Sequence, residues 1–229
     1  MALSGAEAVQ AAMSKAQCLL LDFDGPVCDI FAGLPAPTVA ARLRATLEGA
    51  GAVVPLEVQA TDDPLEVFRF SGGLSGDLNE LALSALTRLE TEAAGTARLT
   101  PGAADLMTRA RNRGLPIAIV SNNSVSAVEA FLDREGLAAQ IAYISARSAV
   151  DPSLMKPNPH LLDQALSHLG ADPSASLLVG DSVTDVEASK LAGVVAVGYA
   201  NRPGKVERLG AVGADLIVTS MVELADALR

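Results

Sequence analysis

The segment Leu19-Leu20-Leu21-Asp22-Phe23-Asp24-Gly25-Pro26 decides the fold that this sequence predicts. An apolar run ends in two acidic residues and a Gly-Pro break, which is typical of a buried strand followed by a turn. Residues two apart on a strand face the same side, so Asp22 and Asp24 should converge where the strand ends. Crowded carboxylates repel, and we expect one pKa to rise while the other group stays ionised. An acidic strand end with a solvated turn is the alternative interpretation.

Composition limits the class of protein. A length of 229 residues suits one large domain, or a core domain with a smaller insertion. The hydrophobic fraction is 50% and the charged fraction 19%, so the chain can bury a core. A net charge of −10 and the lack of Trp disfavour nucleic acid and membrane surfaces as partners. Clustered carboxylates remain compatible with a divalent cation.

The cysteines and the N-terminus predict a cytoplasmic protein. Cys18 and Cys28 are the only cysteines and form no C-x-x-C pair. Two thiols cannot form a disulfide framework, so buried reduced thiols are expected. Residues 1–15 lack a basic start followed by an apolar core, which argues against a signal peptide. The longest apolar stretches are too short to span a bilayer.

Two kinds of pattern divide the chain. Residues 31–95 show successive amphipathic helical patterns with Gly/Pro breaks and no strand pattern, and Thr38 is expected to cap the first helix. From residue 96 onward, apolar strands alternate with amphipathic helices, which predicts a parallel sheet with helices on both faces. The sequence therefore predicts an α/β fold. A Rossmann-like parallel sheet would be formed by residues 1–30 and 96–229, with residues 31–95 as an inserted all-helical cap.

A hydroxyl and two amides follow the second predicted strand, in Ser121-Asn122-Asn123-Ser124. A strand-end hydroxyl and the free N–H groups of a following helix can bind an anion. Helix capping is the simpler explanation for part of this motif. We expect Ser121 to face a ligand and Ser124 to cap the helix.

Lys156 lies between Met155 and Pro157, with a second proline at position 159. The prolines restrict the backbone, so the ammonium can be held in place to neutralise phosphate charge. A solvated lysine before a helix is the alternative explanation. Taken by itself, a Lys-Pro pair favours this simpler explanation.

Gly180-Asp181-Ser182-Val183-Thr184-Asp185 follows another apolar strand. Asp181 and Asp185 lie four residues apart where a helix begins, so they share a face and would repel each other without a cation. Compensation of the helix dipole explains part of this pattern. The combination of strand, Gly-Asp-Ser and a second acid favours a metal site.

In order and spacing, these segments resemble the motifs of the haloacid dehalogenase-like hydrolases. The residues Asp22 to Gly25 resemble the first motif, Ser121 the second, Lys156 the third and Gly180 to Asp185 the fourth. The similarity extends from residue 17 to about residue 200. The helical insertion resembles the cap of the subgroup that includes phosphoglycolate phosphatases and beta-phosphoglucomutases.

The resemblance implies a role for each motif in phosphoryl transfer. Asp22 would be the nucleophile that forms an aspartyl-phosphate. Asp24 would protonate the leaving oxygen and then deprotonate the attacking water. Ser121, the backbone N–H of Asn122 and Lys156 would stabilise the transferring phosphoryl group.

Mg²⁺ is the cofactor that the resemblance implies. Its protein ligands would be the Asp22 carboxylate, the Asp24 backbone carbonyl and Asp181, which suits a hard cation. Asp185 is expected to hold a metal-bound water or Lys156 rather than the ion itself. The ion would therefore lie at the ends of two strands.

The insertion is expected to close over the substrate as a lid. Arg69 is the candidate for recognising a second anionic group of the substrate, together with Arg42 and Arg44. A solvated helix charge is the alternative for each arginine. Pro26 departs from the subgroup's pattern, in which a β-branched residue is more common.

Three functions are compatible with these motifs. The favoured one is a Mg²⁺-dependent phosphatase for a small phosphorylated metabolite. A phosphomutase of the beta-phosphoglucomutase type would return the phosphoryl group to a sugar, and a non-catalytic module would bind phosphate without turnover. The retained Asp24 argues against a pure binder, which has no need of a proton donor. We expect a monomer or a weak homodimer.

Overall fold

Six parallel strands form the central sheet in a computed structural model that describes residues 5–229. Numbered in chain order over the described residues, the strands of this sheet are β1 Cys18–Leu21, β4 Ile117–Ser124, β5 Tyr143–Arg147, β6 Ser176–Gly180, β7 Val195–Tyr199 and β8 Leu216–Val218. The strands β2 Cys28–Asp29 and β3 Arg98–Leu99 form a separate pair. The sheet order is β5-β4-β1-β6-β7-β8, and every neighbouring pair is parallel. The predicted α/β class is confirmed. Because the order changes direction beside β1, the carboxyl ends of β1, β4 and β6 border a crevice.

Helices cover both faces of this sheet. Over the described residues they are α1 Gly5–Lys15, α2 Ala36–Gly49, α3 Leu56–Gln59, α4 Pro64–Ser71, α5 Gly76–Ala94, α6 Ala103–Asn112, α7 Val125–Glu135, α8 His160–Leu169, α9 Val183–Ala192, α10 Lys205–Ala211 and α11 Met221–Asp226. Leu19 and Leu21 of β1 pack in a cluster with α1, α6, α7 and α11, whereas Cys18 and Leu20 pack with α8 and α9. Alternate residues thus serve opposite faces, which explains the uninterrupted apolar run of β1.

The helices α2 to α5 follow one another between β2 and β3. Apolar side chains such as Val39, Leu43 and Leu86 form a cluster separate from those that pack on the sheet, and Met155 joins it from outside this segment. The division into a sheet domain and a cap at residues 31–95 stays a prediction. It is supported by the fact that the helical segment has an apolar cluster of its own.

Two short strands flank this helical segment, and the sequence did not predict them. Cys28 of β2 pairs antiparallel with Leu99 of β3, and Asp29 pairs with Arg98. Both strands have only two residues, so no alternating pattern reveals them. Their pairing joins the two chain segments that lead into and out of the helices.

The helices α2 and α4 begin in different ways. Thr38 does not cap α2, which begins at Ala36 after Pro35. The prediction was wrong because Pro37 fits the first turn of a helix, where its missing N–H is not needed. Asp63 caps α4 by accepting a hydrogen bond from the Leu65 N–H at 2.8 Å.

Two further predictions concern the thiols and the membrane. Cys18 and Cys28 are buried free thiols, as expected. Over residues 5–229, no helix combines the length and the apolar character that crossing a bilayer requires.

Candidate active site

Three predicted site residues lie at the carboxyl ends of neighbouring strands. Asp22 follows β1, Ser121 lies near the end of β4, and Asp181 follows β6. The Asp22 N–H still donates to the carbonyl of Val179 at 2.9 Å, which holds Asp22 beside β6. These residues line a cleft of about 690 Å³ whose opposite side is formed by residues of the helical segment.

Lys156 is the buried cation of this cleft. Its Nζ donates to Asp185 Oδ1 at 2.5 Å, to Asp22 Oδ1 at 2.9 Å and to the Val120 carbonyl at 2.9 Å. Burial by itself would lower the pKa of Lys156, but the charges and hydrogen bonds of Asp185 and Asp22 raise it well above its ordinary value. The ammonium therefore stays charged and links two carboxylates that are distant in sequence.

Burial is the main cause of the raised carboxyl pKa values. It raises the pKa of Asp22 to about 8, with a further increase from Asp185 and an opposing effect of Lys156. Burial also raises the pKa of Asp24 to about 7, against a hydrogen bond from the Ile30 N–H and with a further increase from Asp181. The prediction that repulsion between Asp22 and Asp24 raises one pKa while the other group stays ionised was wrong, because both pKa values are raised and burial is the main cause of each. Removal from water acts on both carboxyls.

Three carboxylates converge where a cation could bind. One oxygen from each of Asp22, Asp181 and Asp185 lies within 4.8 Å of the others. Gly25 has a φ of 98°, and a Cβ there would lie 2.5 Å from Asp181 Cγ, so only glycine allows this approach. A set of carboxylate oxygens without nitrogen or sulfur ligands suits Mg²⁺.

Asp185 differs from the other two acids in its hydrogen bonds. Its Oδ1 accepts from Lys156, and its Oδ2 accepts from the N–H and hydroxyl of Ser182 at 3.0 and 2.6 Å. A Cβ at Gly180 would lie 2.3 Å from Asp185 Cγ, so glycine is required here too. Both Asp185 oxygens are thus engaged, which favours holding Lys156 over ligating an ion.

The strand β4 is irregular after Ser121. The pairing of β4 with β5 shifts register between Ser121 and Ser124, and the Ser121 hydroxyl accepts from the Asn123 N–H at 3.1 Å. The Asn122 side chain accepts from the Lys156 N–H at 2.8 Å and donates to the Lys156 carbonyl at 3.2 Å. Sequence reasoning considered only the backbone of Asn122 and missed this amide clamp.

Ser124 does not cap α7 with its side chain, so that prediction was wrong. Its buried Oγ makes no hydrogen bond within the part of the chain that the structure describes. The Ser124 N–H instead donates to Glu90 Oε2 of α5 at 2.8 Å. A carboxylate from the helical segment thus lies at this helix N-terminus, where it interacts favourably with the helix dipole. The two residues are 34 apart in sequence, so no local pattern could indicate the contact.

Lys205 is a further residue that the sequence did not indicate. It lies at the start of α10, and its Nζ forms an ion pair with Asp181 Oδ2 at 2.5 Å. Burial raises the pKa of Asp181, and Lys205 opposes that increase. A single lysine after a turn carries no motif, so only the folded chain reveals this pair.

The three candidate arginines differ in their position relative to the cleft. Arg69 lines the cleft, forms an ion pair with Glu66 at 2.6 Å and donates to the Lys156 carbonyl at 3.3 Å. Arg42 instead pairs with Glu92, and Arg44 donates to backbone carbonyls of its own helical segment. The structure therefore leaves Arg69 as the one of the three that could contact a ligand here.

Known proteins resemble this chain in sequence and in fold. A phosphoglycolate phosphatase of Synechococcus elongatus is 31% identical over 188 residues, which cover 79% of this chain and 82% of that protein. An N-acetylmuramic acid 6-phosphate phosphatase of Pseudomonas aeruginosa is 29% identical over 226 residues, covering 93% and 95%. The crystal structure of CbbY from Rhodobacter sphaeroides in complex with phosphate superimposes with a TM-score of 0.66. It covers 91% of this chain and 96% of that chain at 22% identity, a level that supports the fold alone.

A family model covers most of the same region. Residues 17–193 match the haloacid dehalogenase-like hydrolases, and this range includes Asp22, Ser121, Lys156 and Asp181. The matched range contains the strands β1 to β6 and the whole helical segment, and it ends just after α9. This chain is therefore a member of the haloacid dehalogenase-like hydrolase family.

Proposed function

We propose that this hydrolase is a Mg²⁺-dependent phosphatase that cleaves a phosphate monoester of a small metabolite through an aspartyl-phosphate on Asp22. The proposal rests on one observation: at one end of the sheet the structure brings together Asp22, Asp181 and Lys156, which are far apart in the sequence. The phosphatase activity of the named relatives supports the same reaction class.

In the first step, an Asp22 carboxylate oxygen attacks phosphorus, and the bond between phosphorus and the ester oxygen breaks. Asp24 gives its proton to the departing oxygen, a role for which a pKa near neutrality is suited. Lys156 stands 2.9 Å from Asp22 and offsets the negative charge that gathers on the phosphoryl oxygens.

In the second step, Asp24 takes a proton from water, and the water oxygen attacks the phosphorus of the aspartyl-phosphate. The bond to Asp22 breaks, so the products are inorganic phosphate and the original carboxylate. Ser121 and the backbone at Asn122 line the phosphate end of the cleft and supply hydrogen bonds.

The carboxylates fit the implied cation. Asp22 and Asp181, with the backbone carbonyl of Asp24, would hold Mg²⁺ in this scheme, while Asp185 holds Lys156. When bound, Mg²⁺ supplies positive charge that favours the ionised form of the buried Asp22 and polarises the phosphoryl group.

The helical segment would exclude water and contact the leaving group. Asp63, Leu65 and Arg69 line the cleft from its side, so closure would bring them to the substrate. A cytoplasmic location belongs to the same proposal, since Cys18 and Cys28 are buried free thiols, which suits a reducing compartment.

Phosphate release tests this function directly. The wild-type protein is assayed against phosphorylated sugars, nucleotides and small acids, with Mg²⁺ and with a chelator. We expect release of inorganic phosphate only with Mg²⁺, and none from Asp22→Asn, whose circular dichroism should match the wild type. Transfer to a second sugar hydroxyl without free phosphate would instead identify a phosphomutase. Full activity of Asp22→Asn would refute the nucleophile.

A further inference from the structure

A second buried ion pair lies beside the phosphate end of the cleft and has no part in the steps above. Glu90 of α5 and Arg147, the last residue of β5, approach to 2.5 Å. Their side chains are 0% and 2% exposed, so both charges are removed from water. The pair also joins the helical segment to the sheet.

This pair contacts three consecutive residues that follow Ser121. Glu90 accepts hydrogen bonds from the Ser124 N–H at 2.8 Å and from the Asn123 amide at 3.3 Å. Arg147 Nε donates to the Asn122 carbonyl at 2.9 Å. The irregular end of β4 is therefore held by one buried acid and one buried base.

The contacts continue to Lys156 and to the helical segment. The Asn122 side chain clamps the backbone of Lys156, so Arg147 is connected through one residue to the cation of the active site. On its other side, the Arg147 guanidinium lies over the Phe68 ring, 4.8 Å from its centre. Phe68 belongs to α4, the helix that also carries Arg69.

Stability alone gives a weak reason for such a pair. Taking two charges out of water costs much of what their attraction returns, and well-packed apolar residues often replace buried pairs without loss. Here Arg147 Nη1 is buried and finds no hydrogen-bond partner among residues 5–229, which adds a further cost. The contacts of the pair with the residues after Ser121 indicate a different benefit.

We propose that Glu90 and Arg147 are positioning residues that hold residues 122–124 in the geometry required to bind a phosphoryl group, and that couple this segment to the inserted helices. This inference rests on the proposed function, in which the same segment binds phosphate. Neither residue would touch the substrate.

The test compares two glutamates of the same helix. Glu90→Gln keeps the shape but removes the charge that holds Arg147 and Ser124. Glu92→Gln makes the same chemical change two residues further on, where Glu92 forms an exposed ion pair with Arg42. We expect Glu90→Gln to weaken binding of inorganic phosphate by roughly tenfold and to raise KM similarly, with Mg²⁺ affinity unchanged. Glu92→Gln should match the wild type in all three.

A double variant keeps the test open if Glu90→Gln fails to fold. Glu90→Leu combined with Arg147→Met removes both charges and should preserve the fold. We expect it also to bind phosphate roughly tenfold more weakly. Wild-type phosphate affinity in the folded variants would overturn the proposal, as would equal weakening of phosphate and Mg²⁺ binding. Calorimetry measures both affinities without turnover, so an inactive wild type would refute the phosphatase and still leave this comparison decisive.

Discussion

Lys156 and Arg147 are two buried cations on either side of Asn122, and they differ in the charge that they face. Each side chain is 2% exposed. Of the acids that the structure describes, Arg147 forms an ion pair with Glu90 alone, so the two charges balance. Lys156 pairs with both Asp22 and Asp185, so its surroundings keep an excess of negative charge.

The difference shows how to separate a ligand site from a structural pair. In a balanced buried pair the two charges cancel, so no net attraction for an ion remains. Three carboxylates, of Asp22, Asp181 and Asp185, face two ammonium groups, of Lys156 and Lys205, so the acids here exceed the cations by one. Only that surplus of charge can attract a divalent cation.

The largest effect is expected when each of the two buried cations is replaced by an uncharged residue. Lys156→Met should reduce activity by about a thousandfold or more and lower the free energy of unfolding by about 3–5 kcal/mol in a chelator. Added Mg²⁺ should restore more stability to this variant than it adds to the wild type, because two carboxylates lose their cation. Arg147→Met should show no such extra gain, since Glu90 is a single acid. Chemical denaturation with and without Mg²⁺ measures both, and an equal gain in the two variants would contradict the charge argument.

The second prediction concerns the pH dependence of stability, to which the buried carboxyls of Asp22 and Asp24 contribute. The pKa values of Asp22 and Asp24 are raised in the folded protein, to about 8 and about 7, so folding binds protons there. Their contribution to stability is complete below the ordinary pKa of aspartate and is lost as the pH rises through these folded values, so in a chelator these groups favour about pH 5.5 over about pH 8.5. Mg²⁺ should reduce the loss. Melting temperatures across this range test it, and Asp22→Asn should have a shallower slope.

A smaller effect is expected at Lys205, which opposes Asp181. The ammonium must share that carboxylate with an incoming ion, so Lys205→Met should tighten Mg²⁺ binding by about three- to tenfold. Arg208→Met is the matched control, because Arg208 lies on the same helix and lines the cleft but makes no ion pair with Asp181 among the described residues. Titration calorimetry compares the two. Weaker Mg²⁺ binding in Lys205→Met would show that the lysine orients Asp181 instead.

The smallest effect is expected at Arg69, whose charge Glu66 already neutralises in part. Arg69→Ala should lower kcat/KM by about two- to fivefold for substrates with a second anionic group, and leave neutral sugar phosphates unchanged. A panel of matched substrates measures the ratio. An unchanged substrate profile would exclude Arg69 from recognition.

The positions of site residues could be predicted from the sequence where a polar residue directly follows an apolar strand. Asp22, Ser121 and Asp181 each follow a run of apolar residues, and parallel strands bring their carboxyl ends to one edge. The confirmed α/β class depends on the same short-range patterns. Asp63 at the start of α4 could also be predicted, since an acid before a proline acts within one turn.

Partners across the fold could not be predicted. Glu90 and Arg147 are 57 residues apart, and Lys205 and Asp181 belong to different parts of the chain. Glu90 also accepts the hydrogen bond of the Ser124 N–H at the start of α7, where the Ser124 side chain was expected to act as the cap. None of these pairs has a spacing that a local pattern would reveal.

The amino-acid sequence by itself determined which residues stand at the strand ends and in which order, because periodicity and turn residues act between neighbours in the chain. Only the tertiary structure decided which charge meets which, and that burial rather than mutual repulsion is the main cause of the raised pKa values of Asp22 and Asp24. The physical reason is that desolvation and ion pairing depend on everything that surrounds a group in space.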